Sequence, residues 1–133
     1  MFTALFRVNL ALLALNLAHS LDHALNQGDG WAGFGAIGGL GIGVVLVALL
    51  LSWLQSPYAP PVTALVGFGQ AIAFTLIHLA PHWGPISAPY YDAENVNALS
   101  WIVLAISLGV SLYAGTVGLR EWRGSLIVDP IEN

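Results

Sequence analysis

The sequence contains no cysteine and no lysine, and charged residues of any kind make up only 8% of its 133 residues. Without cysteine there can be no disulfide, thiolate metal site, iron–sulfur cluster or cysteine nucleophile, so any metal ion must bind to nitrogen and oxygen ligands. Three arginines against seven acidic residues give a formal net charge of −4. Such a chain offers no basic surface to a phosphate backbone, and nucleic acid is not an expected partner.

Hydrophobic residues, in contrast, make up 57% of the chain. A soluble domain devotes about a quarter of its residues to charge, whereas a membrane-spanning helix needs roughly 20 mostly apolar residues. Four stretches meet that requirement, and the sequence predicts an all-α polytopic membrane protein with four transmembrane helices in one antiparallel bundle. The predicted spans are about 3–25, 31–54, 61–80 and 98–119, followed by a short cytoplasmic tail over 120–133.

The charged residues are distributed unevenly around these spans. Positive charge is confined to the two ends of the chain, at Arg7, Arg120 and Arg123, while the first and third loops carry acidic residues such as Glu94. The positive-inside rule therefore predicts a multi-pass protein of the cell membrane with both termini in the cytoplasm. Aromatic residues near the predicted span ends, Tyr90 among them, are typical of membrane interfaces. An N-terminal signal peptide is an alternative interpretation, because a positive charge precedes an apolar run there.

Two of the predicted helices carry small residues at every fourth position. Helices in lipid associate through close packing of such residues. We therefore predict that the two stripes contact each other, other membrane subunits or a second copy of the chain. The stripes consist of Gly35, Gly39 and Gly43 in the second helix and of Ser107, Ser111 and Gly115 in the fourth.

The first predicted helix carries a polar stripe on an otherwise apolar surface. At 100° per residue the members of this stripe fall within an arc of roughly 80°, a face that cannot lie against lipid. Asp22 projects to one side of the arc, where it could be a metal ligand, a partner of a ligand or an interfacial group. The stripe consists of Asn9, Asn16, His19, His23 and Gln27.

All four histidines of the chain fall near one predicted membrane level, close to the non-cytoplasmic face. His19 and His23 are four residues apart, and His78 and His82 repeat this spacing in the third helix. One helical turn separates such imidazoles by about 6 Å, so the two pairs and a carboxylate could form a shell for zinc, copper, nickel or iron. The predicted ligands of this metal-handling or redox site are His19, Asp22, His23, His78 and His82.

Other interpretations of the histidines stay open at this point. One histidine from each helix could be the axial ligands of a single b-type haem. The histidines could instead satisfy hydrogen bonds between helices of a structural or accessory subunit that has no cofactor. A zinc-bound water with Asp22 or Glu94 as the proton acceptor would make a hydrolase. Pro81 could also end the third helix and leave His82 in the loop.

The histidine motifs resemble those of the nickel-permease family that accompanies hydrogenases and ureases. The resemblance covers only these short motifs, the spacing of the first one differs from the family's, and this chain has fewer spans. No family is therefore assigned from it. The motifs are H-x-x-D-H at His19, Asp22 and His23, and H-x-x-x-H followed by glycine at His78, His82 and Gly84.

Overall fold

The computed structural model describes residues 3–26 and 36–127, and these ranges contain helices and loops but no strand. A π-helical turn extends the third α-helix directly, and a 3₁₀ turn lies in the loop before the fourth. The α-helices are α1 (Ala4–Asn26), α2 (Ala36–Trp53), α3 (Ala59–Phe74) and α4 (Ala98–Ile127), with the π turn at Thr75–Leu79 and the 3₁₀ turn at Tyr90–Asp92.

Three helical segments are long and apolar enough to cross a membrane: Ala4–Leu25, Ala59–Leu79 and Ala98–Leu126. They correspond to the first, third and fourth predicted spans. The apolar part of α2, Gly38–Trp53, is shorter, and residues 31–35 of the second predicted span lie outside the described ranges. The all-helical class and the presence of membrane-type helices are confirmed, and α4 continues as a helix into the predicted tail.

Local chemistry determines where the helices begin. The hydroxyl of Thr3 accepts a hydrogen bond from the backbone N–H of Phe6 (3.2 Å), as an N-terminal cap does. The side-chain oxygen of Asn97 accepts the N–H of Leu99 (2.8 Å) and so caps α4. Two prolines lie in the first turn of α3, where the missing N–H groups cost no helical hydrogen bond.

The bundle buries polar side chains and exposes apolar ones. Asn9 and Thr63 are fully buried, whereas Leu25 and Leu65 are 72% and 74% exposed. In water this distribution would be unfavourable, because apolar surface is best removed from solvent and buried polar groups must find partners. It suits a chain whose outer surface lies against lipid.

Helices α3 and α4 approach each other closely through glycines. A Cβ added to Gly67 would lie 2.7 Å from the carbonyl oxygen of Ser111, and one added to Gly118 would lie 2.7 Å from that of Pro60. Backbones can come this near only where no side chain separates them. Gly115 of the predicted α4 stripe also belongs to this contact, because a Cβ added there would overlap the ring of Phe68 in α3.

The predicted α2 stripe is not part of the main packing within the chain. Helix α4 packs chiefly against α3 and α1, while α2 packs against α1 and α3. Gly39 is exposed, no described residue lies within 4 Å of a Cβ added to Gly43, and Gly35 lies outside the described ranges. Contact of this stripe with another subunit or a second copy stays a prediction.

The polar stripe of α1 faces the interior, as predicted, and its side chains bond to neighbouring helices. The amide nitrogen of Asn9 donates to the hydroxyls of Ser52 (2.9 Å) in α2 and Thr63 (2.8 Å) in α3. Two turns further along, Asn16 and Gln70 exchange hydrogen bonds through both of their amide groups, at 2.8 and 3.2 Å. Gln27 lies outside the described residues.

A double-mutant cycle should show that the Asn16–Gln70 pair stabilises the bundle. Asn16→Leu or Gln70→Leu should each lower the free energy of unfolding by about 0.5–2 kcal/mol, because each leaves a buried amide with fewer partners. The double variant should cost less than the sum of the two. Unfolding in detergent measures this, with the exposed Asn95→Leu as a control. Strictly additive losses would contradict the pairing.

Candidate metal centre

Three histidines from two helical segments meet inside the bundle. His19 and His23 come from α1 and His78 from the π turn after α3, and one ligand atom of each lies within 4.8 Å of the other two. The Nε2 atoms of His19 and His78 are 3.1 Å apart. Both of these rings are buried, and His23 is half-buried. This histidine cluster could bind a metal ion.

The spacing of the nitrogens suits a single ion. Zinc–nitrogen bonds of about 2.0–2.1 Å in tetrahedral geometry place two ligand atoms about 3.3 Å apart. The 3.1 Å between the Nε2 atoms of His19 and His78 is close to that value. The ring of His23 lies 4.8 and 5.3 Å from theirs, centroid to centroid. Three imidazoles with a further position open form a donor set that zinc and copper accept.

Pro81 ends the helix that carries His78. In a continuous α-helix the N–H of residue 81 would donate to the carbonyl of Ile77, and proline has no N–H. The N–H of Ala88 donates to that carbonyl instead, at 2.8 Å. The loop after the π turn is thereby folded back towards the histidine cluster. π turns are rare and occur frequently at functional sites.

The returning loop also orients the ring of His78. Its Nδ1 lies 3.2 Å from the carbonyl oxygen of Ala88. Because a carbonyl can only accept, we assign the proton to Nδ1, which leaves the lone pair on Nε2, the atom that faces His19. Histidines that bind metals commonly hold their second nitrogen in this way. With that assignment, the 3.1 Å contact is a hydrogen bond that Nε2 of His19 donates to Nε2 of His78. Among the described residues, Nδ1 of His19 has no hydrogen-bond partner.

Tyr90 belongs to this site, which the sequence pattern did not indicate. The sequence groups Tyr90 with the aromatic residues of the membrane interface, but its side chain is only 2% exposed. Its ring centroid lies 4.5 Å from that of His78, and its hydroxyl lies 3.5 Å from Nε2 of His23. The backfolded loop places it there, and nothing in the residue spacing signals that fold.

Two of the five predicted ligands lie outside the group of ligand atoms. His82 is exposed in the loop, because the helix ends at Leu79 and does not continue through Pro81. Asp22 is buried, and it accepts a hydrogen bond from the hydroxyl of Ser100 in α4 (3.0 Å). The structure thus brings together three histidines, and the wider set of five ligands stays a prediction.

The other predicted acid, Glu94, is exposed in the loop before α4. Asp22 is buried one turn from His19 but is not among the grouped ligand atoms, and the hydrolase alternative stays a prediction.

The same geometry bears on the haem alternative. Two axial nitrogens on one iron lie about 4 Å apart, twice a bond of about 2 Å, with the macrocycle between them. Here the two Nε2 atoms are 3.1 Å apart, and the rings of His19 and His78 meet edge to face with centroids 4.9 Å apart. A macrocycle does not fit between the rings of His19 and His78 in this contact, and haem binding through another histidine of α1 stays a prediction.

Comparison with known protein families, curated proteins and solved structures finds no match to this chain. The resemblance of its histidine motifs therefore carries no family assignment. What defines the class is the fold and the site: an all-helical protein with membrane-type helices and a buried histidine cluster within ligand distance.

Proposed function

We propose that this is an integral membrane protein that binds one transition-metal ion through His19, His23 and His78, for metal handling or redox work. The observation that carries the proposal is the 3.1 Å approach of two imidazole Nε2 atoms inside the bundle. One of these rings is oriented by a backbone carbonyl in the manner of a metal ligand. Ionisable residues within membrane helices are costly and mark functional sites by default.

We further propose that the chain crosses the membrane four times in alternating directions, with the histidine cluster near the non-cytoplasmic face. Contacts along α1 support this arrangement. Asn9 and then Asn16 bond to Thr63 and Gln70, in the same order along α3. The same two asparagines face Ser52 and Gly41, in the reverse order along α2. Helices α1 and α3 thus share one direction and α2 has the other.

Single cysteines should report the orientation, because the chain has none of its own. Asp92→Cys lies in the loop beside the cluster, and Ser125→Cys lies near the end of α4; both positions are exposed. A membrane-impermeant maleimide should label position 92 in intact cells and position 125 only after permeabilisation. Labelling of both positions from the same side would contradict the topology.

The metal proposal is tested by elemental analysis and an optical spectrum of the detergent-purified protein. We expect about one equivalent of a transition metal per chain and no Soret band, since the haem geometry is not met. A Soret band would instead support the haem alternative. Protein that retains no zinc, copper, nickel or iron after incubation with each and desalting would contradict metal binding, and would favour the accessory-subunit interpretation.

A further inference from the structure

We infer that Tyr90 supplies a fourth ligand, its phenolate oxygen, to the metal ion held by the three histidines. The inference rests on the proposed function, because it adds a ligand to the same site. It concerns a residue outside the predicted ligand set, contributed by the loop and not by the helices. With Tyr90 as a ligand, the donor set consists of three neutral imidazole nitrogens and one anionic phenolate oxygen.

The position of the Tyr90 hydroxyl is compatible with ligand spacing. Its oxygen lies 3.5 Å from Nε2 of His23, which is a long hydrogen-bond contact. Two ligand atoms on one tetrahedral ion are about 3.3 Å apart. The separations of 3.1 Å at the His19–His78 edge and 3.5 Å at the His23–Tyr90 edge lie on either side of that value.

Tyr90 is also held rigidly at the site, as a ligand should be. Its ring centroid lies 4.5, 6.1 and 6.4 Å from those of His78, His23 and His19, so it borders all three imidazoles. On its other side the ring packs edge to face against Trp101 of α4, at 5.5 Å. The side chain is almost fully buried, so its ring is enclosed on both sides.

Charge balance favours an anionic ligand here. A divalent ion on three neutral imidazoles would leave two positive charges in a low-dielectric interior, which is unfavourable. The side chain of Asp22, one turn from His19, is buried and bonded to Ser100 of α4. A phenolate at Tyr90 would supply one negative charge directly to the ion. Coordination replaces the O–H bond of Tyr90 with an oxygen–metal bond, and the proton leaves to solvent, as metal ions promote for bound acidic groups.

Copper(II) is the probe, because it binds nitrogen sites more tightly than zinc or nickel and gives a visible charge-transfer band with phenolate. Copper-loaded wild type should show this band. Tyr90→Phe should lose the band and bind copper more than about tenfold more weakly. Tyr91→Phe is the matched control: this adjacent tyrosine is exposed and its hydroxyl donates to the carbonyl of Ala80 (3.3 Å), so both band and affinity should persist.

The outcomes separate the two proposals. Wild type that binds copper(II) without the band, or a band that survives in Tyr90→Phe, would overturn the role of Tyr90 and leave the three-histidine site standing. Wild type that binds none of copper, zinc, nickel and iron would overturn the proposed function itself. Should Tyr90→Phe fail to fold, resonance Raman of the wild type alone decides the matter, because only a bound phenolate shows enhanced tyrosinate ring modes under excitation in the visible band.

Discussion

Replacing His78 with alanine should abolish metal binding, whereas replacing His82 with alanine should leave it unchanged. His78 is buried within ligand distance of two other histidines, and His82 is exposed in the loop beyond Pro81. Removing one of three imidazoles leaves two, and the affinity should fall by more than about 100-fold, beyond the loss seen for residues that only orient ligands. Metal titration of the purified variants measures the difference.

The two variants form a matched pair, because they remove the same side chain four residues apart. His19→Ala should behave as His78→Ala does. Asn9→Ala provides a second control: it also removes a buried polar side chain from α1, at about 21 Å of helical rise from His23, and should destabilise the fold without changing the metal stoichiometry. Melting temperatures in detergent identify any variant that is unfolded. Equal loss of metal in the His78 and His82 variants would refute the three-histidine site.

The second large effect is expected at the α3–α4 contact. Gly67→Leu should prevent the two helices from packing, because even a Cβ at this position would collide with the backbone of α4. Overpacking a core commonly costs about 1–3 kcal/mol when the surroundings can shift. Backbone atoms of a neighbouring helix cannot move aside as a flexible side chain does, so we expect at least the upper end of that range. Thermal unfolding in detergent and the yield of monodisperse protein report it.

Gly69→Leu is the control for this prediction. Gly69 lies two residues further along α3 and is exposed, and in the described part of the chain no atom lies within 4 Å of a Cβ added there. A leucine there would face lipid or detergent, where an apolar side chain is favourable. The melting temperature should stay the same or rise. Equal melting temperatures of Gly67→Leu and Gly69→Leu would show that the close glycine contact does not hold the helices in place.

Some features of this protein follow from the sequence alone because they depend only on neighbouring residues. The length and hydropathy of a segment determine whether it can cross a membrane, and three of the expected spans are helical and apolar enough to do so. The 3.6-residue period determines which side chains share a face. That period placed Asn9, Asn16 and His19 on one stripe of α1, and all three are buried in the interior.

The composition of the site depends on tertiary structure, because it requires knowing where helices end and which surfaces meet. A helical period puts His78 and His82 on one face, but the helix ends at Leu79 and only His78 reaches the cluster. Pro81 has no N–H to donate to the carbonyl of Ile77, and the N–H of Ala88 donates to it instead. This hydrogen bond holds the returning loop against the helix end and places Tyr90, two residues later, in the cluster.

The sequence likewise does not determine which helices pack against each other. Small residues are spaced by four in α2 as well as in α4, so spacing gave no means of choosing among helices. The structure packs Gly115 of α4 against Gly67 of α3, and leaves Gly39 and Gly43 of α2 on the surface. A glycine stripe shows that a backbone can approach, whereas the partner depends on the depth and direction of every helix in the bundle, which no single segment encodes.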